Sequence, residues 1–220
     1  MQQLFLVIGV GGSTMMKIKS VYIAHSTLFI NGELVLKGEN SIFVKFLKEV
    51  YQFAELKYPK YFKMDPLSKL GFLAAEVLLK DHKPHSKAER NGLVIENRAS
   101  TYLVDSKHQE SISDKSQYFP SPANFVYTLP NVMTGEICIR HGFKGENALF
   151  VNDEFDAYFV HQYIHSLYNA GKATFLLGGF VDADENEYEA FMYIADKKQG
   201  DAKEIEKLYL ELKQKSIDNK

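Results

Sequence analysis

At 220 residues the chain is long enough to bury a sizeable core in one domain. Lys and Arg number 26 against 28 Asp and Glu, a net charge of −2, so no basic field points to nucleic acid and no acidic tail to a cationic partner. The lone cysteine, Cys138, has no mate for an internal disulfide, and no apolar run reaches the ~20 residues of a membrane span, which together fit the reducing cytoplasm.

Residues 1–15 read as an upstream extension or a disordered tail, with a secretory signal as the other reading. Leu4 to Val10 is apolar but has no Lys or Arg before it, and Met15 and Met16 offer later starts. Residues 16–220 read as one domain, with no internal repeat and no dividing linker.

Strands are expected at about 20–30 and 33–37, joined by Asn31-Gly32, since both residues tolerate positive φ. A helix capped by Ser41 runs to about Leu56, with Ile42, Phe43, Phe46, Leu47, Val50, Phe53 and Ala54 on one broad face and Pro59 beyond its end. Asp65 caps a second helix that Pro66 opens and the stretch from Asp81 to Pro84 stops. Residues 92–97 read as a short buried strand, and the polar stretch 98–120 as a surface loop with at most a helical turn. A helix from Pro130 to His141 ends on Gly142. Next come a strand from Ala148 to Asn152 and a helix from Asp153 to about Asn169, with three acids in its first turn and Gly171 behind it. Ala173 to Val181 is apolar on both faces and reads as a central strand. A last strand, Tyr188 to Ala195, and a C-terminal helix with Ile205, Leu208, Leu210 and Leu212 as its apolar residues complete the chain. Alternating strands and helices from 65 to 195 imply an α/β fold with a sheet covered by helices.

Two constellations carry candidate chemistry. His161 and His165 stand one helical turn apart, a zinc-ligand spacing. Gln162 replaces the general base of a metalloprotease, however, and no third ligand is evident, so a solvated or interface face is the plainer reading and no metal is expected. Asp153, Glu154 and Asp156 offer either paired carboxylates for acid/base work or an ordinary acidic helix start.

Three stretches in order resemble the N-terminal half of the β-ketoacyl synthases, condensing enzymes of the thiolase fold. They are Met64-Asp65 with the following helix, Asn124 to Asn147 with Leu129-Pro130-Asn131 within it and Gly145-Glu146-Asn147 at its end, and Leu176 to Asp182 with its Gly-Gly pair. Together they span about residues 60–182. The resemblance implies a thiolase-like half-fold, a mixed sheet covered by helices, and places the family's nucleophilic cysteine at Glu154. The small residues that surround that cysteine are replaced by Asp153, Phe155, Asp156 and Ala157, and Phe155 is expected to crowd the acyl pocket. Cys138 falls in the preceding helix, at a place the family fills with a small residue. The family's two catalytic histidines come from a second half that has no counterpart among these residues.

The resemblance therefore implies a catalytically degenerate synthase-like protein that needs no cofactor. It would act as an accessory, chain-length-factor-like subunit of fatty acid or polyketide/polyene synthesis. Its partners would be a full-length ketosynthase, an acyl carrier protein or both, in a homo- or heterodimer, because the sheet face that normally meets the second half is expected to be bare. The large residues of the helix after Glu154, Tyr158, Phe159 and His161 among them, suit such an interface. Two other readings stand beside it. One is an enzyme of another type using Glu154 with His161 or a partner's histidine. The other is a structural homodimer without an acyl ligand.

Overall fold

The computed structural model describes residues 18–39, 42–84, 87–113, 116, 120–185, 187–197 and 200–220. Residues 1–15 and the expected cap Ser41 lie outside the described residues. Seven strands form one mixed sheet in the order β3-β2-β1-β7-β6-β4-β5. They are β1 (Ser20–Ala24), β2 (Thr27–Ile30), β3 (Glu33–Lys37), β4 (Asn91–Asn97), β5 (Asn147–Val151), β6 (Phe175–Ala183) and β7 (Tyr188–Ala195). β4 runs parallel to both β5 and β6, and all other pairs are antiparallel.

Helices cover both faces. On one side lie α1 (Phe43–Phe53), α2 (Pro66–Leu79) and α5 (Asn131–His141); on the other lie α6 (Ala157–Asn169) and α7 (Ala202–Asp218). α3 (Tyr102–Ser113) and α4 (Pro122–Val126) pack on each other between β4 and α5. Period-two alternation sorts the strand residues between the layers. Val21 and Ile23 of β1 join the α2 side, while Tyr22 and Ala24 join the α6–α7 side. α2 is apolar nearly all round because it is wrapped by the sheet, α1 and α5. Its start is as expected, with the Asp65 carboxylate accepting from the N–H groups of Leu67 and Ser68.

Two glycines permit close approach. A Cβ on Gly178 would stand 2.6 Å from the Tyr193 hydroxyl and 2.9 Å from Ile164, so its bareness lets α6 settle on the sheet. A Cβ on Gly92 would stand 2.0 Å from the Glu146 carbonyl oxygen, which accepts the Leu93 N–H where β5 joins β4. Backbone cannot swing aside as a flexible side chain can. Gly92→Ala is therefore expected to cost about 1–3 kcal/mol of stability, read by urea unfolding; a neutral result would mean that β5 does not dock this way.

Five expectations about single elements change. The strand expected at 20–30 is two strands, because His25 and Ser26 both take positive φ (47° and 57°) and turn the chain. The Ser26 N–H donates to the Tyr188 hydroxyl, a partner far along the chain. Asn31-Gly32 turns as expected, at φ 52° and 88°. At α1 the N-cap position is Ile42, without a side-chain cap bond. The stretch read as a loop holds α3, a helix that buries only Val104 and so shows no apolar stripe. α6 starts at Ala157 rather than Asp153, with Asp156 as the cap that accepts from Tyr158 and Phe159. On α7 Leu210 is 55% exposed, while Ile205, Tyr209, Leu212 and Ser216 make the inner face.

The sheet face expected to be bare is covered by the chain's own α6 and α7. Tyr22, Phe191 and Tyr193 are buried beneath them. Those side chains are therefore not left bare for a partner to cover.

Candidate functional site

The C-terminal ends of parallel strands gather side chains from several elements, which is where open α/β sheets place their ligands. Here the ends of β4 and β6 meet the β5–α6 junction, residues 152–156, and the first turn of the sheet. Glu96, the next-to-last residue of β4, is fully buried and ties the junction down. Its carboxylate accepts the Asp156 N–H at 2.7 Å and the Asn152 amide at 3.3 Å. Burial, with Asp156 nearby, raises its pKa against the pull of those two bonds. Glu96→Ala would leave the Asp156 N–H without an acceptor. We expect a cost of about 1–3 kcal/mol and faster hydrogen exchange at Asp156, and unchanged exchange there would sink this role.

That tie shapes the junction. Asp153 and Glu154 are turned outward and exposed, whereas Phe155 is drawn into the core against Phe180, Phe191 and Tyr209. Phe155 is thus a core residue, next in sequence to the position where the resemblance puts a thiolate.

Beside the junction lie two polar knots. Asp182, at the end of β6, accepts from Asn97, from the N–H groups of Arg98 and Ala99, and from the Arg98 guanidinium. Arg98 also reaches Asp184 at 2.9 Å. Glu189 of β7 accepts from the Tyr22 hydroxyl at 2.6 Å, the Tyr209 hydroxyl at 3.2 Å and the Lys213 ammonium at 3.3 Å. Burial, then the charge of Glu189, raises the pKa of both tyrosines, so they remain protonated donors. Between the knots opens a cavity of about 290 Å³, with Phe180, Tyr22 and Tyr209 in its wall and Asp153, Glu154 and Glu187 also lining it.

His161 does not line this cavity. Its ring lies on that of His165 at 4.1 Å, near Gly200, and burial followed by the His165 charge lowers its pKa. The cavity is thus lined by Glu154 but not by the histidine expected to work with it. Asp156 is spent as a cap. Cys138 packs against the core on the opposite side of the sheet, its thiol pushed up to about 11 by burial, and is no thiolate. Among the described residues no group of three or more His, Cys, Asp and Glu side chains is placed to hold a metal ion. No described helix is long and apolar enough to cross a membrane.

Sequence reasoning missed Glu96, Arg98, Asp182, Glu189, Tyr209 and Lys213. Tyr209 and Lys213, at i and i+4 of a helix, carry a local signal of one shared face. Glu189 meets them only through the pairing of β7 with β1.

No protein-family model and no curated protein matches the chain. Solved structures do. The ishigamide ketosynthase/chain length factor superposes with a TM-score of 0.58 at 16% identity, over 68% of this chain and 48% of that one. A type II PKS acyl-carrier protein in complex with its ketosynthase bound to the hexaketide, AntDE:AntF, gives 0.55 at 13%, over 82% and 61%. The ketosynthase ApeO in complex with its chain length factor ApeC, from Xenorhabdus doucetiae, gives 0.52 at 10%, over 84% and 79%. The chain spans about half the length of the first of these, 48%, and 61% of the second. At such identities the likeness is one of fold. The chain has the thiolase-like α/β half-fold of ketosynthase and chain length factor structures, its mixed sheet covered by helices on both faces.

Proposed function

We propose that this chain is a catalytically degenerate ketosynthase-like protein that serves as an accessory, chain-length-factor-like subunit in fatty acid or polyketide/polyene synthesis in the cytoplasm. The observation that carries the reading is the β5–α6 junction. The fold is kept, but where the resemblance puts the thiol the chain carries the carboxylate of Glu154, the next residue, Phe155, packs against Phe191, and Cys138 lies across the sheet. A carboxylate is a poor nucleophile toward a thioester, so such a protein serves by binding.

The β5 edge suits a partner in a homo- or heterodimer. Among the described residues it pairs only with β4, and it carries no charged side chain, whereas the other edge, β3, is guarded by Glu33, Lys37 and a register shift. Tagging the protein in its host and weighing the intact complex tests the reading. Recovery of a full-length ketosynthase in fixed ratio is expected. Acyl transfer turnover by the isolated chain would overturn it. The cavity beside Glu154 favours one other reading, an enzyme of another type, which requires Glu154→Gln to abolish an activity without moving the Tm.

A further inference from the structure

Spacing alone favours a solvated face for His161 and His165, but the structure adds two observations that point to a ligand. The first is contact. Residues four apart share one face of a helix, and on α6 the two rings lie with centroids 4.1 Å apart, tilted by 34°. Neither ring is loose: both residues are half-buried, and the His165 ring meets that of Tyr168 edge-on at 6.3 Å. The second is orientation. The His161 ring donates a hydrogen bond to the backbone carbonyl of Gly200, just ahead of α7. In a neutral imidazole such a bond assigns the proton to one nitrogen and leaves the other as a lone-pair donor. Histidines that bind metal ions are held in this way, by a carbonyl or carboxylate on the nitrogen that does not ligate. The charge of Asp201, next to that carbonyl, also favours a positive charge at His161.

We infer that His161 and His165 together hold a divalent transition-metal ion of the zinc class on α6. Imidazole nitrogens suit Zn²⁺, Cu²⁺ and Ni²⁺, whereas Mg²⁺ and Ca²⁺ take oxygen ligands. Two rings this close repel one another when both are protonated, so the pair favours the neutral form, which is the form that ligates. Among the described residues no third His, Cys, Asp or Glu is placed to complete the set, so the remaining positions on the ion go to water. Gln162 stands where a metalloprotease has its general base, so the ion serves to tie rather than to hydrolyse. It fixes the His161 ring on Gly200 and with it joins α6 to the start of α7. Neither histidine lines the cavity beside Glu154, so the inference is independent of the accessory reading.

The test titrates Zn²⁺ alone into the full chain by isothermal titration, beside the variants H161Q and H165Q, with Mg²⁺ as the control ion. Thermal melts without metal confirm that the variants fold. The wild-type chain is expected to take up Zn²⁺ and not Mg²⁺. Loss of an outer-shell partner typically costs about 10–100-fold in metal affinity, so loss of one of two ligands should weaken Zn²⁺ binding at least about tenfold in either variant. A second readout needs no variant. Cu²⁺ is paramagnetic, and at substoichiometric amounts it should broaden the ring NMR signals of His161 and His165 before those of the other histidines. Zn²⁺ uptake that is absent from the wild-type chain, matched by Mg²⁺ or unchanged in the variants overturns the inference. So does Cu²⁺ broadening that begins at other histidines.

Discussion

Tyr209→Ala is expected to be among the most destabilising single substitutions in the chain, costing about 3–5 kcal/mol in urea unfolding. The ring is buried against Tyr22, Phe155 and Phe191, with centroids 6.4, 5.1 and 5.5 Å away. It is the point where α7, the sheet and the β5–α6 junction meet. Removing it opens a void beneath α7 and takes one hydrogen bond from Glu189. Tyr209→Phe keeps the ring and loses only the hydroxyl, so it should cost about 0.5–1.5 kcal/mol. The gap between the two variants measures the packing of α7 on the face that the chain covers for itself. If Tyr209→Ala costs less than about 1 kcal/mol, α7 does not seal that face, and the case for an exposed face seeking a partner returns.

The other large effect lies on the opposite side of the sheet. Glu76 is buried in the last turn of α2 and accepts two hydrogen bonds from Arg140, at 2.7 and 3.1 Å, with His141 at 3.2 Å. The Arg140 guanidinium also lies 4.8 Å from the Tyr58 ring centroid, so α2, α5 and the segment after α1 are tied at one point. Burial alone would raise the Glu76 pKa, but the hydrogen bonds and charges of His141 and Arg140 outweigh it and hold the carboxyl at about 2. Glu76→Gln is expected to cost about 2–3 kcal/mol at neutral pH. That is less than for a fully buried pair, because Arg140 is partly in water.

The sign of the pH dependence follows from the depressed pKa. The stabilisation is complete above the ordinary carboxylate value of 4.5 and is lost as pH falls from there toward about 2. Wild type and Glu76→Gln should therefore differ most at pH ~7 and converge near pH ~2 in urea titrations. A difference that stays constant with pH would show that the side chain acts by shape and not by charge.

What the sequence determined by itself is local. The Asp65-Pro66 start of α2, the Asn31-Gly32 turn, Gly142 in the left-handed region after α5 and the two-sided apolar run of β6 each act within a few residues. Backbone preference and hydrophobic period therefore sufficed to read them. The ordered motifs from Met64 to Asp182 also made the half-fold legible.

Tertiary structure decided the rest, because the partners are far apart in the chain. The His25-Ser26 turn carries neither Gly nor Asn, and Ser26 finds its partner in Tyr188. α3 has too little buried surface to print a period on its sequence. The start of α6 moved because Glu96, some sixty residues earlier, accepts the Asp156 N–H and pulls the junction out of helical form. Above all, the neighbours of Glu154 were set by strand register and by the docking of α7. Those bring Arg98, Glu189 and Lys213 to one cavity and leave His161 outside it. Spacing along a chain reports which side chains share a face of one element; which faces meet is settled by packing among elements.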